Sequence, residues 1–204
     1  AEESVRVRVS DGKTSDSALL TIAIAGRNDA PITRADEAAA GEDDEKVPIA
    51  VLANDDDIDA DDTAASLRVT EASAASGAGV TVTSTPGASI GYTPAGRFDY
   101  LSAGETARDT ITYTATDRHG LASTGTVTVT VTGRNAASVA VDDRLNTSAG
   151  TILTLTPAIG VLANDRDADA GDRLQVVAIN GDPAAVGGTI ALASGAALSV
   201  NADG

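Results

Sequence analysis

The sequence predicts an all-β chain of tandem Greek-key β-sandwiches, each made of two antiparallel sheets. Three observations predict it. Apolar and polar residues alternate with period two in five segments rich in small and β-branched residues, each bounded by Gly, Asp or Pro. No stretch carries a 3.6-residue apolar stripe with a cap at each end. The chain also repeats itself at the spacing of a whole domain rather than of one hairpin.

Taken in order, VRVRVS (5–10) and TIAIAG (21–26) are predicted strands with one buried face. The acid-crowded, Ala-rich piece from Asp36 to Gly41 reads as loop or strand edge. VTVTS (80–84), TITYTATD (110–117) and GTVTVTVTG (125–133) are further strands. In the last of these Val127, Val129 and Val131 turn inward, and Thr128 and Thr130 form a polar outer row. At an edge such a strand would be prone to association, so a well-paired place inside a sheet is expected. Strands this short and this frequent fit two packed sheets better than one open sheet.

The repeat sets the expected domains. LLTIAIAGRNDAP (19–31) recurs as VTVTVTGRNAAS (127–138), and IAVLANDDDIDADD (49–62) returns as IGVLANDRDADAGD (159–172). Val5, Val7 and Val9 followed by Asp11 echo Ile111, Tyr113 and Ala115 followed by Asp117. Residues 1–29 are therefore expected to be the last strands of a preceding repeat, 30–134 a complete sandwich, and 135–204 the first part of a following repeat.

Composition narrows function. Thirty acidic residues against 14 basic ones leave a net charge of -16, which repels nucleic acid and anionic membrane surfaces and invites cations. The absence of Cys removes disulfides, thiolate nucleophiles and zinc-cysteine sites, and a single His removes multi-histidine sites. No apolar run approaches the length of a membrane span, and AEESVRVRV has neither the basic region nor the apolar core of a signal peptide, so an export signal is expected outside this stretch. With one Phe, three Tyr and no Trp, the aromatics are expected in the core, and stability must come from many small contacts and bound ions.

The acidic loop Asn54-Asp55-Asp56-Asp57-Ile58-Asp59-Ala60-Asp61-Asp62 carries the chemistry. Like charges about 5 Å apart at an effective dielectric near 20 cost roughly 3 kcal/mol per pair, which a divalent cation would relieve. Oxygens at alternate residues suit calcium, which accepts six to eight of them; magnesium, held to octahedral geometry, fits less well. The second copy selects positions: Asn54, Asp55, Asp57, Asp59 and Asp62 return as Asn164, Asp165, Asp167, Asp169 and Asp172, whereas Asp56 and Asp61 become Arg166 and Gly171. The loop is not an EF-hand, since Ala60 stands where that motif needs Gly and Ser66 where it needs Glu. A second cluster, Asp29, Asp36, Glu37, Glu42, Asp43, Asp44 and Glu45, is expected at the first junction between repeats, where an ion would turn a hinge into a strut. The second junction keeps Asn135, Asp142 and Asp143 but has Ala136 for Asp29 and Ser148 to Thr151 for Glu42 to Glu45, so the first is expected to be better supplied and the two to differ in stiffness.

Enzymatic readings find no support in the residues. His119, in Asp117-Arg118-His119-Gly120, reads as an exposed turn histidine, with no serine elbow or Cys nucleophile to join it. No aromatic platform accompanies the carboxylates as a glycosidase cleft would need, and no phosphate-binding glycine loop is present. Asn146-Thr147-Ser148 matches the glycosylation pattern and is expected to be unused.

VLANDxDxD with a following Asp, Gly87 to Pro94 with its Tyr-Thr-Pro ending, the Phe98-Asp99-Tyr100 turn, the strand from Ile111 to Asp117 and the GRNDAP junction together resemble the bacterial cadherin-like repeats (VCBS type) of large, secreted, calcium-dependent RTX-type adhesins. The resemblance covers nearly the whole chain. It implies an immunoglobulin-like or cadherin-like sandwich, calcium at loop and linker sites, and a place in an extracellular stalk on a bacterial surface, exported by a type I system. By it Asp29, Asp55, Asp57, Asp59 and Asp117 become candidate ion ligands, and Asp36 and Glu42 resemble the acidic start of a repeat. The longer Asp-x-Asn-Asp-Asn junction of animal cadherins is missing, which favours one bridging ion or ions within each domain. Partners then follow from the stalk: neighbouring repeats of the same chain, with homophilic contacts, a protein or a surface glycan as the alternatives.

Overall fold

The computed structural model describes residues 1–204. It contains strands and two short 3-10 turns, at 157–159 and 183–185, and no helix long and apolar enough to cross a membrane.

β1 (Glu2–Ser10) and β2 (Ser15–Ala23) form an antiparallel hairpin. Its turn is closed by Asp11, whose carboxylate accepts the N–H groups of Lys13 and Thr14 at 2.8 and 2.7 Å and is held below the ordinary carboxylate range by them. β2 stops at Ala23, so the end of the predicted TIAIAG strand lies past the ladder.

Seven strands follow: β3 (Asp36–Gly41), β4 (Val47–Ile49), β5 (Arg68–Ala74), β6 (Gly79–Thr81), β7 (Ile90–Thr93), β8 (Thr106–Thr116) and β9 (Ala122–Thr132). They pair as two sheets, β3-β9-β8-β5 and β4-β7-β6. β9 sits inside its sheet, with Val127, Val129 and Val131 fully buried, as its alternation predicts. The Asp36–Gly41 piece is an edge strand, paired parallel to β9 from Asp36 opposite Val127 to Gly41 opposite Thr132. β5 carried no clear alternation because a bulge between Val69 and Glu71 shifts its phase. β6 is shorter than the predicted 80–84 strand. Pro48 is tolerated because β4 is an edge strand.

The core between the sheets is a single cluster in which Val51, Leu67, Val69, Ile90, Ile111 and the β9 valines meet Tyr92 and Tyr113. Tyr113 faces Gly125 across the β8–β9 ladder, where any Cβ would come within 2.3 Å of its ring. Gly133 is equally constrained: a Cβ there would lie 2.5 Å from Leu101 Cβ and the Ser102 carbonyl. This close approach accounts for the Gly of the second Gly-Arg-Asn triplet, whereas Gly26 of the first has nothing within 4 Å. Phe98 is buried, but Tyr100 is half exposed, contrary to the expectation that the aromatics lie in the core. Its ring sits on a turn outside the sheets, where no facing strand covers it.

Beyond residue 134 the chain runs mostly as turns and loops, with a two-residue ladder between β10 (Ile190–Ala191) and β11 (Ala197–Leu198). Val139, Val141, Leu145, Ile152 and Val177 are exposed there.

Candidate metal centre

The linker after Asn28 runs antiparallel to the acidic loop. Ile32 and Asp56 exchange backbone hydrogen bonds, the Arg34 N–H donates to Asp55 Oδ1 at 2.8 Å, and the Asp29 N–H donates to Asp59 Oδ2 at 2.8 Å. The same cradle recurs. Val139 pairs with Arg166, the Val141 N–H donates to Asp165 Oδ1, and the Ala136 N–H donates to Asp169 Oδ2. The repeat seen in the sequence is thus a repeat of hydrogen bonds, position by position.

Within the first loop the carboxylates divide by role. Asp55 is buried and gives both oxygens to protein donors, Oδ1 to Arg34 and Oδ2 to the Tyr113 hydroxyl at 2.9 Å. It fixes the loop on the sandwich. Asp36 lies beside it, and burial together with the Asp55 charge pushes its carboxyl up to about 6, against the opposing pull of Tyr113 and Asn54. Burial also pushes the Tyr113 hydroxyl up, aided by Asp55. Asn54 is exposed and donates to the Ala35 carbonyl at 3.2 Å. Asp57 Oδ1 accepts the Asp59 N–H at 3.0 Å, while its Oδ2 is buried with no partner. Asp62 accepts Arg118 Nε and Ser66 Oγ through Oδ1, both at 3.0 Å, and its buried Oδ2 has no partner.

Asp117, at the β8–β9 turn, joins this end of the sandwich. Its Oδ1 accepts the N–H groups of His119, Gly120 and Leu121, and Asn28 Nδ2 donates to Oδ2 at 2.7 Å. Burial pushes its carboxyl up, but these donors outweigh it and hold the group below the ordinary range. His119 is half exposed on the same turn, 3.3 Å from Asp61 Oδ2. That contact is the main cause of a lowered Asp61 carboxyl.

The second acidic cluster does not gather at one junction. β3 separates its members: Asp36 lies at the entry end beside Asp55, and Glu42 lies past the far end of the strand, about 20 Å away at a strand rise near 3.3 Å per residue. Glu42 belongs to the exit end. It is buried, its N–H donates to Thr132, its Oε1 accepts the Arg134 N–H at 2.6 Å, and its Oε2 has no partner. Asp43 stands 4.0 Å from the Arg134 guanidinium. Of the acids expected together, Asp29 and Asp36 thus stay at the entry end, and Glu42 and Asp43 lie at the exit end beside Arg134.

The second acidic loop is anchored two residues past Arg134, where the Ala136 N–H donates to Asp169 Oδ2. Asp167, Asp169 and Asp172 each bring an oxygen within 4.8 Å of the others, and Asp169 Oδ1 is buried without a partner. The Ala170 N–H donates to the Tyr100 carbonyl at 2.9 Å, tying this loop to the turn at the exit end. Only the link Arg134-Asn135-Ala136 separates the backbone donor of Glu42 from that of Asp169. Asp165 is committed to Val141, and Asn164 donates to Val141 and Asp142. Of the remaining predicted positions, Asp29 contributes its N–H and keeps its side chain exposed, Asp59 supplies the oxygen that accepts it, and Asp172 completes the acidic triad.

One buried acid escaped the sequence reading. Asp109, in β8, accepts the Tyr92 hydroxyl at 2.9 Å, Ser76 Oγ at 2.5 Å and the Ser76 and Thr110 N–H groups. Its signal was phase: it lies on the inward face with Ile111, Tyr113 and Ala115.

Among solved structures the chain is similar to Protocadherin Gamma B7 extracellular cadherin domains 1–4, at 18% identity and a TM-score of 0.46, covering 72% of this chain and 36% of that one. No curated protein matches it. The model of the bacterial cadherin-like domain matches residues 28–133, which take in β3 to β9 together with Asn28, Asp57, Asp62 and Asp117, and the chain belongs to that family.

Proposed function

We propose that this chain is a calcium-rigidified structural repeat from the extracellular stalk of a bacterial adhesin or biofilm protein. Cadherin-like domains are adhesive or structural modules rather than enzymes, which agrees with the family match. In this reading residues 1–29 end one repeat, 30–134 form a whole one, and 135–204 begin the next.

The observation that carries the reading is the pair of buried, unpartnered carboxylate oxygens flanking one three-residue link, Glu42 Oε2 from one repeat and Asp169 Oδ1 from the next. A buried carboxylate oxygen without a donor is costly, and cation coordination would remove that cost. The donor set of carboxylates and carbonyls, with neither thiol nor paired imidazoles, fits calcium as a hard-oxygen ligand sphere. Glu42, Asp167, Asp169 and Asp172 would hold it at the second junction, and Asp57, Asp62, Asp117 and Asn28 at the first. When bound, calcium supplies the positive charge that lets these acids pack. The chain itself does the positioning: Arg134 N–H orients Glu42, Ala136 N–H orients Asp169, and Tyr100 holds the second loop against the turn.

Calcium titration by calorimetry, paired with small-angle scattering, tests this. Extracellular modules bind at about 10⁻⁴ to 10⁻³ M, so millimolar calcium is expected to raise the melting temperature and lengthen the scattering envelope. Glu42→Gln with Asp169→Asn is expected to remove the second-junction ion from the stoichiometry. An envelope and melting temperature indifferent to calcium would sink the reading.

A further inference from the structure

Two residues that the repeats do not share are set against each other at the entry end of the sandwich. Asp61 stands where the second loop has Gly171, and His119 stands where the first hairpin has Lys13, matched through Asp117 and Asp11. In the fold they meet: His119 Nε2 lies 3.3 Å from Asp61 Oδ2 and 3.9 Å from Asp62 Oδ2. All three groups belong to the sandwich of residues 30–134 and face one another directly, so the arrangement depends on neither end of the chain.

Each group is positioned by its own backbone. The β8–β9 ladder ends at Thr116 and Ala122, and Asp117 holds the turn between them by accepting the His119 N–H at 2.7 Å, with Gly120 completing it at a φ of +97°. Across from it the Asp62 N–H donates to the Asp59 carbonyl, and Asp62 Oδ1 accepts Arg118 Nε and Ser66 Oγ, both at 3.0 Å. These donors fix the carboxylate and leave its other oxygen uncommitted. The Asp62 side chain is fully buried, and Oδ2, the oxygen that approaches His119, has no hydrogen-bond partner. Buried polar oxygens are nearly always partnered, so this one is aimed at a partner from outside the chain. Asp61 and His119 are partly exposed and leave an ion a way in.

The donor set selects the ion. Calcium takes oxygens, whereas zinc accepts imidazole nitrogen and carboxylate oxygen alike. Tetrahedral ligands at zinc bond lengths of about 2.0 to 2.2 Å stand roughly 3.3 to 3.6 Å apart. The observed 3.3 and 3.9 Å lie close to that edge. We propose that Asp61, Asp62 and His119 form a site for a first-row divalent cation that accepts both nitrogen and oxygen, with zinc the best fit and water completing the sphere. An ion there ties the acidic loop to the β8–β9 turn, 58 residues away in the chain, and supplants the long contact of Arg118 Nη1 with Asp61 at 3.9 Å. The site shares Asp62 with the calcium reading but does not rest on it.

Zinc titration of the metal-free 204-residue chain tests it, by calorimetry and by NMR of its one imidazole. The parent is expected to bind one equivalent of zinc that His119→Ala loses, and to shift its His119 ring signals as that equivalent fills. Zinc held by carboxylates alone survives that substitution and is thereby told apart. Asp61→Asn keeps a hydrogen-bonding side chain beside His119 and is expected to weaken the same equivalent at least about tenfold, since losing a ligand costs no less than losing its outer-shell partner. A zinc isotherm unchanged by His119→Ala, or His119 signals indifferent to zinc, would overturn the proposal. His119→Ala is expected to keep any rise of melting temperature in calcium. A zinc equivalent that needs His119, in a chain indifferent to calcium, upholds this site and overturns the calcium reading; a calcium-stabilised chain whose His119 ignores zinc does the reverse.

Discussion

Tyr113 and Gly125 act as one packing unit. The ring fills the space a Cβ would need, whereas the equivalent pair in the first hairpin, Val7 and Ala18, combines a smaller side chain with a partner that has a Cβ. Gly125→Ala is expected to cost about 1 to 3 kcal/mol of stability by overpacking, read from the urea midpoint of unfolding. Asp36 shows a different residue-scale effect. Its folded carboxyl, raised to about 6 from 3.8, keeps its proton after the unfolded chain has lost it. Stability is therefore lost as pH rises through that window. In chelator, Asp36→Asn is expected to melt higher than the parent at pH 7 and equally below pH 4; a parallel offset at all pH values would contradict the assignment. Individual residues were legible where they repeated: Asp57, Asp62 and Asp169 stood out because two copies of the loop agreed. Asp55 was legible as important but not for its role, because its commitment to Tyr113 and Arg34 depends on strands far away in the chain.

At the scale of the element, the β8–β9 turn depends on a single carboxylate that accepts three successive N–H groups. Asp117→Ala is expected to speed amide exchange at His119, Gly120 and Leu121, with a local loss of about 1 to 3 kcal/mol, while exchange in the middle of β9 stays slow. Strands β8 and β9 were legible because one face is buried and the other wet; β1 and β2 form as strands too, but the buried face expected of them is exposed along its whole length. β5 was not legible, because its bulge breaks the period. The acids from Asp29 to Glu45 misled for a geometric reason: close in sequence, they are carried to opposite ends of the sandwich by a strand of six residues. An edge strand rich in Ala gives no periodic signal of that length, so only the parallel pairing with β9 reveals it.

For the whole molecule, one thin sandwich of small side chains carries buried carboxylates at both ends, Asp55, Asp57, Asp62 and Asp117 at one and Glu42 at the other. The cradles repeat bond for bond, so the geometry at one junction is a template for the other. The two cradles differ in what the sandwich offers them: at the second, Glu42 accepts the Arg134 N–H of the link and the Tyr100 carbonyl accepts the Ala170 N–H of the loop. The parallel pairing of β3 with β9 has a mechanical consequence. The chain enters the sandwich at the start of β3 and leaves at the end of β9, at opposite ends of the same ladder. Tension along the chain therefore pulls the two strands past each other lengthwise, loading all their hydrogen bonds together in shear instead of peeling them apart one at a time.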